Sequence, residues 1–295
     1  MKKIVFFFIA FAAMFVNACQ KDLSQLSYPV ETDVTFILNS PEIATKSFGD
    51  GTIANDLYFG VYDAGGNLIS KISKIDEPEK IVMEKEVSLR LVTGNTYSII
   101  FWAQNKEGIC SVDFAEKKMT FSPESANNEG YDAFYAYVEP FKVESDMNKK
   151  VQLYRPFAQL NIGADDIADA SNAGLDVATS QIIVKTPSVL DLITGDVSEE
   201  KEFTYSYTDI PKGEKFPVAG YEYLSMNYLL VSADKTLIDV CFSYNGDDDY
   251  IHNYTNVPVQ RNYRTNIFGS ILTSKVNLNV VIEPAFNTPD YNYTY

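Results

Sequence analysis

The residue whose type and position most clearly suggest a chemical role is Cys19, one of three cysteines in the 295-residue chain. Two lysines near the start are followed by an uninterrupted apolar run at residues 4–16, and Ala18 places a small side chain directly before the cysteine. The run is too short to span a bilayer, so it predicts a secretory signal peptide at residues 1–18 and not a transmembrane helix.

This arrangement resembles the lipobox of bacterial lipoproteins, in which the cysteine is acylated and becomes the first residue of the mature chain. The resemblance implies lipidation of Cys19, with palmitate among the acyl chains. Each buried methylene contributes about 0.8 kcal/mol, so two or three chains would hold the protein at the outer membrane. Residues 20–23 resemble the acidic tag that directs lipoproteins to the cell surface, with periplasmic retention as the alternative. A plain signal peptide cut near Ala18 is the alternative to lipidation.

The rest of the chain lacks a recognisable catalytic or metal-binding pattern. The single histidine is His252, and the sequence contains no nucleophile elbow, phosphate loop or zinc-protease motif. Residues 247–249 are three aspartates, but their spacing differs from that of calcium loops and favours a solvated hairpin turn. Cys110 and Cys241 are expected to be buried free thiols, with a disulfide as the alternative. The sequence therefore predicts neither an enzyme nor a bound metal or other cofactor.

The charge of the chain excludes some partners. With 24 basic and 40 acidic residues the formal net charge is −16, and removal of residues 1–18, which carry two lysines and no acid, makes it −18. Phosphate contacts need clusters of Lys and Arg, so binding to nucleic acid is not expected. An anionic lipid surface is disfavoured for the same reason.

Alternation of apolar and polar residues, which is typical of half-buried β-strands, recurs along the mature chain. It predicts strands at residues 34–38, 57–62, 68–70, 87–91, 97–103, 133–138, 151–162, 182–184, 203–207, 223–231, 238–242 and 276–280. The segment that contains Trp102 is apolar on both faces, as in a central strand, and the ring is assigned to the core. The one helix expected is short and Ala-rich, at residues 165–177, with Asp165 or Asp166 as its N-cap.

These elements predict an all-β protein of two β-sandwich domains in tandem, with at most one short helix. Residues 104–130 are expected to be irregular, and Pro140 is expected to end the strand before it. The polar run at residues 144–150 is interpreted as the joint between domains. The predicted organisation is a signal peptide at 1–18, a tether at 19–32, sandwiches at 33–148 and 149–285, and a tail at 286–295.

Three stretches have a characteristic order and spacing: residues 44–51 and 57–63 (ATKSFGDG and LYFGVYD), 154–161 (YRPFAQLN) and 257–269 (VPVQRNYRTNIFG). Together with the lipobox they resemble the fimbrillin-like lipoproteins, the type V pilin superfamily of Gram-negative gut and oral anaerobes. The resemblance covers nearly the whole mature chain. It implies two transthyretin-like, Greek-key sandwiches, cleavage after the first strand by a trypsin-like protease, and polymerisation by donor-strand exchange.

Two segments fit the roles that this resemblance implies. Lys46 lies in the loop after the first predicted strand, where the family is cut, usually at Arg, and cutting there would release Cys19 and that strand together. The alternative is an exposed lysine in an uncut loop. The tail offers an alternating aromatic face for donation to a neighbouring subunit, or else folds back on its own domain or is disordered. The candidate donor residues are Phe286, Tyr291, Tyr293 and Tyr295.

The predicted function is a structural or adhesive subunit of a cell-surface pilus. Its predicted partners are other pilin subunits and, through Cys19, the lipid of the outer membrane. The alternative is a non-polymerising surface lipoprotein that binds a glycan or a host protein. Such a protein needs an exposed aromatic surface, for which the 20 tyrosines supply candidates without singling any out.

Overall fold

Four β-sheets and one short α-helix form the described part of the chain, which in this computed structural model comprises residues 29–39, 51–80, 84–106, 108–247, 250–273 and 278–283. The strands are β1 Glu31–Asn39, β2 Asp56–Tyr62, β3 Lys74–Lys80, β4 Glu84–Val92, β5 Thr96–Gln104, β6 Cys110–Asp113, β7 Lys118–Phe121, β8 Ala133–Lys142, β9 Met147–Gln152, β10 Phe157–Ala164, β11 Thr179–Asp191, β12 Val197–Thr204, β13 Thr208–Asp209, β14 Glu222–Leu230, β15 Thr236–Tyr244, β16 Ile251–Val259, β17 Arg264–Gly269 and β18 Leu278–Glu283. The helix α1 is Ile167–Asn172. The all-β prediction is confirmed.

The first sandwich packs the sheet β4-β1-β9 against the sheet β3-β2-β5-β8. Both sheets contribute alternate residues to one apolar core, as their period of two requires. In β1 the inward residues Val34, Phe36 and Leu38 are 0%, 0% and 2% exposed, whereas their neighbours in the strand are at least partly exposed. The half-buried strand predicted at residues 34–38 is therefore confirmed.

The second sandwich packs the sheet β14-β10-β17-β18 against the sheet β16-β15-β11-β7-β6, with β12 and β13 also paired to β11. β15 and β16 form an antiparallel hairpin on either side of the loop where a hairpin turn is predicted, and Asn245 and Gly246 in this loop have positive φ. The helix α1 is confirmed but ends earlier than expected, because Gly174 adopts a φ of 91° shortly after it. Asp166 holds the N-cap position, yet its carboxylate accepts hydrogen bonds from Leu272 and Thr273 instead of capping the helix.

A third apolar cluster joins the two sandwiches. It lies between the outer face of the sheet that contains β5 and the outer face of the sheet that contains β14. Trp102 on β5 is fully buried in this cluster, and Phe101, the preceding residue, is fully buried in the first core. The prediction of a central strand with two apolar faces is thus confirmed, and the second face packs against the other sandwich.

Two segments predicted to lack regular structure form strands. Residues 104–130 contain the hairpin β6–β7, which pairs with β11 from Val189 to Asp191, so the prediction of an irregular segment is wrong. The polar run at residues 144–150 enters β9, which pairs in parallel with β1. The predicted domain boundary at residue 148 therefore falls inside a strand of the first sheet.

The prediction that Pro140 ends its strand is also wrong, since β8 continues to Lys142. β8 lies at the edge of its sheet, and its pairing with β5 shifts register between Tyr97 and Ile99, opposite the proline. A residue without an N–H is tolerated at such an edge or bulge.

Candidate functional site

The residues predicted to act in anchoring, cleavage and donation lie outside the described residues. This holds for Cys19, for Lys46, and for the tail residues Phe286, Tyr291, Tyr293 and Tyr295. The described structure does contain β1, the strand that lies in sequence between the first two of these positions. The candidate functional site is therefore β1 with the slot between β4 and β9 that it fills.

β1 occupies the middle of its sheet. It is antiparallel to β4 along its whole length, from Glu31 opposite Val92 to Asn39 opposite Glu84. On its other side it is parallel to β9, from Val34 opposite Met147 onwards. Removal of β1 would therefore leave two strands with unpaired backbone edges, which is the arrangement that a strand from another chain can complete.

The slot beneath β1 is apolar and aromatic. The Phe36 ring lies 5.6 Å from the ring of Phe101 and 5.9 Å from that of Phe141, in tilted and edge-on geometries that favour aromatic pairs. Val34 and Leu38 insert on either side, two residues away in each direction. A replacement strand must therefore supply apolar side chains at every second residue.

Polar contacts hold both ends of β1. At the start, the carboxylate of Asp146 accepts hydrogen bonds from the Thr32 hydroxyl and from the Asp33 N–H, and these bonds lower the pKa of Asp146. At the end, the carbonyl of Asn39 accepts from the Leu153 N–H at 2.9 Å. The contacts of Asp146 are exposed, and they fix the register of the strand more than they stabilise it.

A buried ion pair lies in the first sandwich next to Gly51, which is the first described residue after β1. Arg155 donates from Nε to Asp132 Oδ1 at 2.8 Å and from Nη2 to Oδ2 at 2.8 Å, and the two side chains are 2% and 0% exposed. Its guanidinium also lies 4.7 Å from the centre of the Phe134 ring. Gly51, with a φ of 81°, packs so closely that a Cβ there would lie 2.6 Å from that ring and 2.8 Å from the guanidinium.

Two of the sequence stretches noted above thus meet at one place, because Gly51 ends the first and Arg155 belongs to the second. The third stretch contributes Arg264, whose Nε donates to Gln159 Oε1 at 2.7 Å across the parallel pair β10–β17. Sequence reasoning did not find these roles. The signal in the sequence was an arginine beside apolar strand residues, because a buried arginine requires a polar or acidic partner.

A cleft of about 660 Å³ opens beside β9 at the junction of the two sandwiches. The edge strands β8 and β9 form one side, and the turn after β11 with Arg261 forms the other. Tyr154 lines the cleft with 54% of its surface exposed, and Ile193 with 41%. The sequence did not indicate this cleft, because its residues come from four separate segments.

The described histidine and cysteine side chains pack against their neighbours and are not arranged for catalysis. His252 stacks between Tyr244 and Tyr254, with ring centres at 5.9 and 6.4 Å, and burial lowers its pKa. Cys110 and Cys241 are free thiols whose pKa values burial raises, so neither is activated as a nucleophile.

Within the described ranges, the side chains of His, Cys, Asp and Glu form no group of three or more suited to hold a metal ion. Among the same residues, no helix has the length and apolar character needed to cross a membrane.

The fold and the site define an all-β protein of two packed β-sandwiches whose first described strand is central in its sheet. The chain belongs to a family of unknown function, DUF6562, whose model matches residues 29–295. No curated protein sequence matches it.

Solved structures with the same fold include a proposed polysaccharide-binding protein from Bacteroides thetaiotaomicron. It has 11% identity and a TM-score of 0.53, over 85% of this chain and 96% of that one. A proposed cell adhesion protein from Bacteroides uniformis has 13% identity and a TM-score of 0.51, over 87% and 98% of the two chains. The fimbrial anchor protein Mfa2 from Porphyromonas gingivalis has 10% identity and a TM-score of 0.48, over 80% and 90%. At these identities the likeness to the first two structures establishes the fold alone.

Proposed function

We propose that the chain is a structural or adhesive subunit of a cell-surface pilus, exported as a lipoprotein acylated at Cys19 and assembled by donor-strand exchange. It acts by binding other subunits and not by catalysis. The observation that carries the proposal is the position of β1, which is the first described strand of the chain and yet lies between two others. A first strand in that position can leave and be replaced without reordering the strands that follow it.

In this mechanism a protease cuts after Lys46, beyond the end of β1. The cut separates β1 and the acylated Cys19 from the rest of the subunit, and β1 then leaves the slot. Burial of Val34, Phe36 and Leu38 stabilises the strand by about 5–9 kcal/mol in total, at 1.5–3 kcal/mol for each side chain. An incoming strand must recover free energy of this size, together with the backbone hydrogen bonds to β4 and β9.

The tail at residues 286–295 supplies that strand for the next subunit. Tyr291, Tyr293 and Tyr295 follow one another at every second residue, which is the spacing of the three inward positions of β1. Phe286 adds an aromatic side chain at the start of the segment. Alternate side chains would enter the slot while the backbone pairs with both neighbouring strands.

The test combines N-terminal sequencing of the protein shed from cells with electrophoresis of unboiled samples. We expect a new terminus at Ser47 and a ladder of heat-sensitive multimers. The variant Lys46→Gln should abolish both, whereas Lys71→Gln, at an exposed lysine outside the loop, should abolish neither. An intact chain that begins at acylated Cys19 and migrates only as a monomer would refute assembly by strand exchange.

A second candidate function is a non-polymerising surface lipoprotein that binds a glycan or a host protein. The cleft beside β9 favours it, because Tyr154 and Ile193 expose apolar surface there. The fold shared with a proposed polysaccharide-binding protein is consistent with this candidate. The monomeric outcome of the experiment above is the outcome that it requires.

A further inference from the structure

The cleft beside β9 carries a set of side chains that the assembly mechanism does not use. Three tyrosines line it: Tyr135 and Tyr137 from β8, and Tyr154 from the segment after β9. Tyr135 and Tyr137 are partly exposed and Tyr154 is 54% exposed. Tyrosine combines a rigid apolar ring face with a hydroxyl, and this combination suits ligands that are both flat-faced and rich in hydroxyl groups, as saccharides are.

The ring of Tyr135 is held in place from two sides. Its centre lies 6.2 Å from that of the buried Trp102, and its hydroxyl accepts a hydrogen bond from Arg261 Nη1 at 3.4 Å. Arg261 also donates from Nη2 to the carbonyl of Gly195 at 2.6 Å, which ties the opposite rim of the cleft to the same guanidinium. The cleft is therefore preformed, as binding sites for small molecules usually are.

The charge of the cleft is opposite to that of the chain. Arg261 and Lys150 line it together with a single acidic residue, Glu139, whereas the ammonium of Lys149 lies over the Phe141 ring on the inner side of β9. In the described part of the chain neither Arg261 nor Lys150 forms an ion pair, and Arg261 donates only to neutral oxygen atoms. A chain with a formal net charge of −16 repels anions over most of its surface. The local excess of positive charge would therefore attract anionic ligands to this cleft in particular.

The free edges of the two strands that border the cleft, β8 and β9, are poorly suited to receive another strand. β8 carries Glu139 and Pro140 on its exposed part, and β9 carries Lys150, which is also exposed. Charged residues and proline are the features with which proteins block pairing at sheet edges. The geometry therefore favours a ligand that lies against the side chains over a peptide that pairs with the backbone.

We infer that this cleft binds a saccharide that carries carboxylate groups, with the tyrosine rings against the sugar faces and Arg261 and Lys150 near the carboxylates. The inference does not depend on polymerisation, and it assigns the subunit a ligand of its own. Thr194, which also lines the cleft, carries an exposed side chain whose hydroxyl can donate a hydrogen bond to a sugar oxygen.

The test is titration calorimetry of the intact exported chain, purified in detergent, with pentagalacturonate as the probe. The fully methyl-esterified pentasaccharide, which has the same rings without the charge, and a short polyglutamate peptide are the comparison ligands. We expect pentagalacturonate to bind and both comparison ligands to bind at least tenfold more weakly.

Two variants at exposed positions locate the site without disturbing the fold. Tyr154→Ala should weaken binding about two- to tenfold, because it removes one ring contact. Lys150→Gln should weaken it about two- to fivefold at low salt and leave it unchanged at high salt, where surface charges are screened. Leu237→Ala, at an exposed apolar residue of β15, and Lys235→Gln, at an exposed lysine, are the matched controls and should have no effect.

The contrary outcomes are distinct. If polyglutamate binds as tightly as pentagalacturonate, the cleft binds anionic peptides and is not specific for saccharides. If the methyl ester binds as tightly as pentagalacturonate, the carboxylates of the ligand do not contribute to binding. Binding that neither Tyr154→Ala nor Lys150→Gln weakens, or no binding of pentagalacturonate, would also overturn the inference. None of these results bears on whether β1 is exchanged.

Discussion

Phe36 gives the sharpest test of how β1 is held in its slot. The side chain is fully buried, and its ring contacts those of Phe101 and Phe141. Phe36→Ala would remove the burial of a large ring and leave a cavity, which together cost about 3–5 kcal/mol. Thr35→Ala is the matched control, since the Thr35 side chain lies on the outer face of the same strand and bonds only Ser88 at the exposed surface. It should cost less than about 1 kcal/mol.

The assay is urea unfolding followed by tryptophan fluorescence. The chain has a single tryptophan, Trp102, which is fully buried next in sequence to the ring that Phe36 contacts. With a slope of about 3 kcal/mol/M, the loss expected for Phe36→Ala lowers the urea midpoint by about 1–1.7 M. If the midpoint falls no further than in Thr35→Ala, the inward side chains do not hold β1, and the reasoning about the slot is refuted.

The same variant tests exchange directly. A strand that is held less strongly is easier to displace, so a peptide of residues 286–295 should displace β1 from cleaved Phe36→Ala protein more readily than from the cleaved wild type. A loss of about 3–5 kcal/mol corresponds to more than a hundredfold in the exchange equilibrium. A peptide that enters neither protein would refute the assignment of the tail as donor while leaving the energetics of β1 intact.

Three further changes test the supports of the first sandwich. Arg155→Met should cost about 3–5 kcal/mol in urea unfolding, because it leaves a buried carboxylate without its guanidinium partner. Gly51→Ala should cost about 2–4 kcal/mol, whereas Gly94→Ala, at a similar positive φ with open space around it, should cost only about 1 kcal/mol. Hydrogen bonds from the Thr32 side chain, and secondarily from the Asp33 backbone, hold the pKa of Asp146 below its ordinary value. The ionised carboxylate therefore stabilises the fold when the pH is above the ordinary pKa. This stabilisation is lost as the pH falls through the lower pKa of the folded state. Asp146→Asn should therefore flatten the decline of the urea midpoint below about pH 4.

Period-two alternation predicted the strands whose inward residues are all apolar. β1 is of this kind, whereas the fully buried strand β5 was recognised by its continuous apolar run at residues 99–103. β9 has the same alternation, with Met147, Lys149 and Val151 on the inner side, but the middle residue is a lysine. Its ammonium lies 4.4 Å from the centre of the Phe141 ring, so a charged residue occupies an inner position and the pattern is hidden.

The hairpin β6–β7 could not be predicted for a different reason. Each strand has only four residues, which is too few for periodicity to distinguish a strand from a turn. The pairing that stabilises the hairpin is with Val189–Asp191 of β11, about seventy residues further along the chain. The cleft has the same origin, because Tyr154 and Arg261 come together only through the packing of the two sandwiches.

The separation of the three apolar clusters makes a replaceable strand compatible with a stable subunit. Among the described residues, those of β1 belong only to the core of the first sandwich, and none belongs to the core of the second or to the cluster between them. Loss of β1 would thus weaken one core and leave the other two filled. The cluster around Trp102 would still hold the outer face of β5 against the second sandwich while the slot on its other side is open. In the proposed assembly, the chain would therefore keep most of its buried apolar contacts in the interval between loss of β1 and entry of the replacement strand.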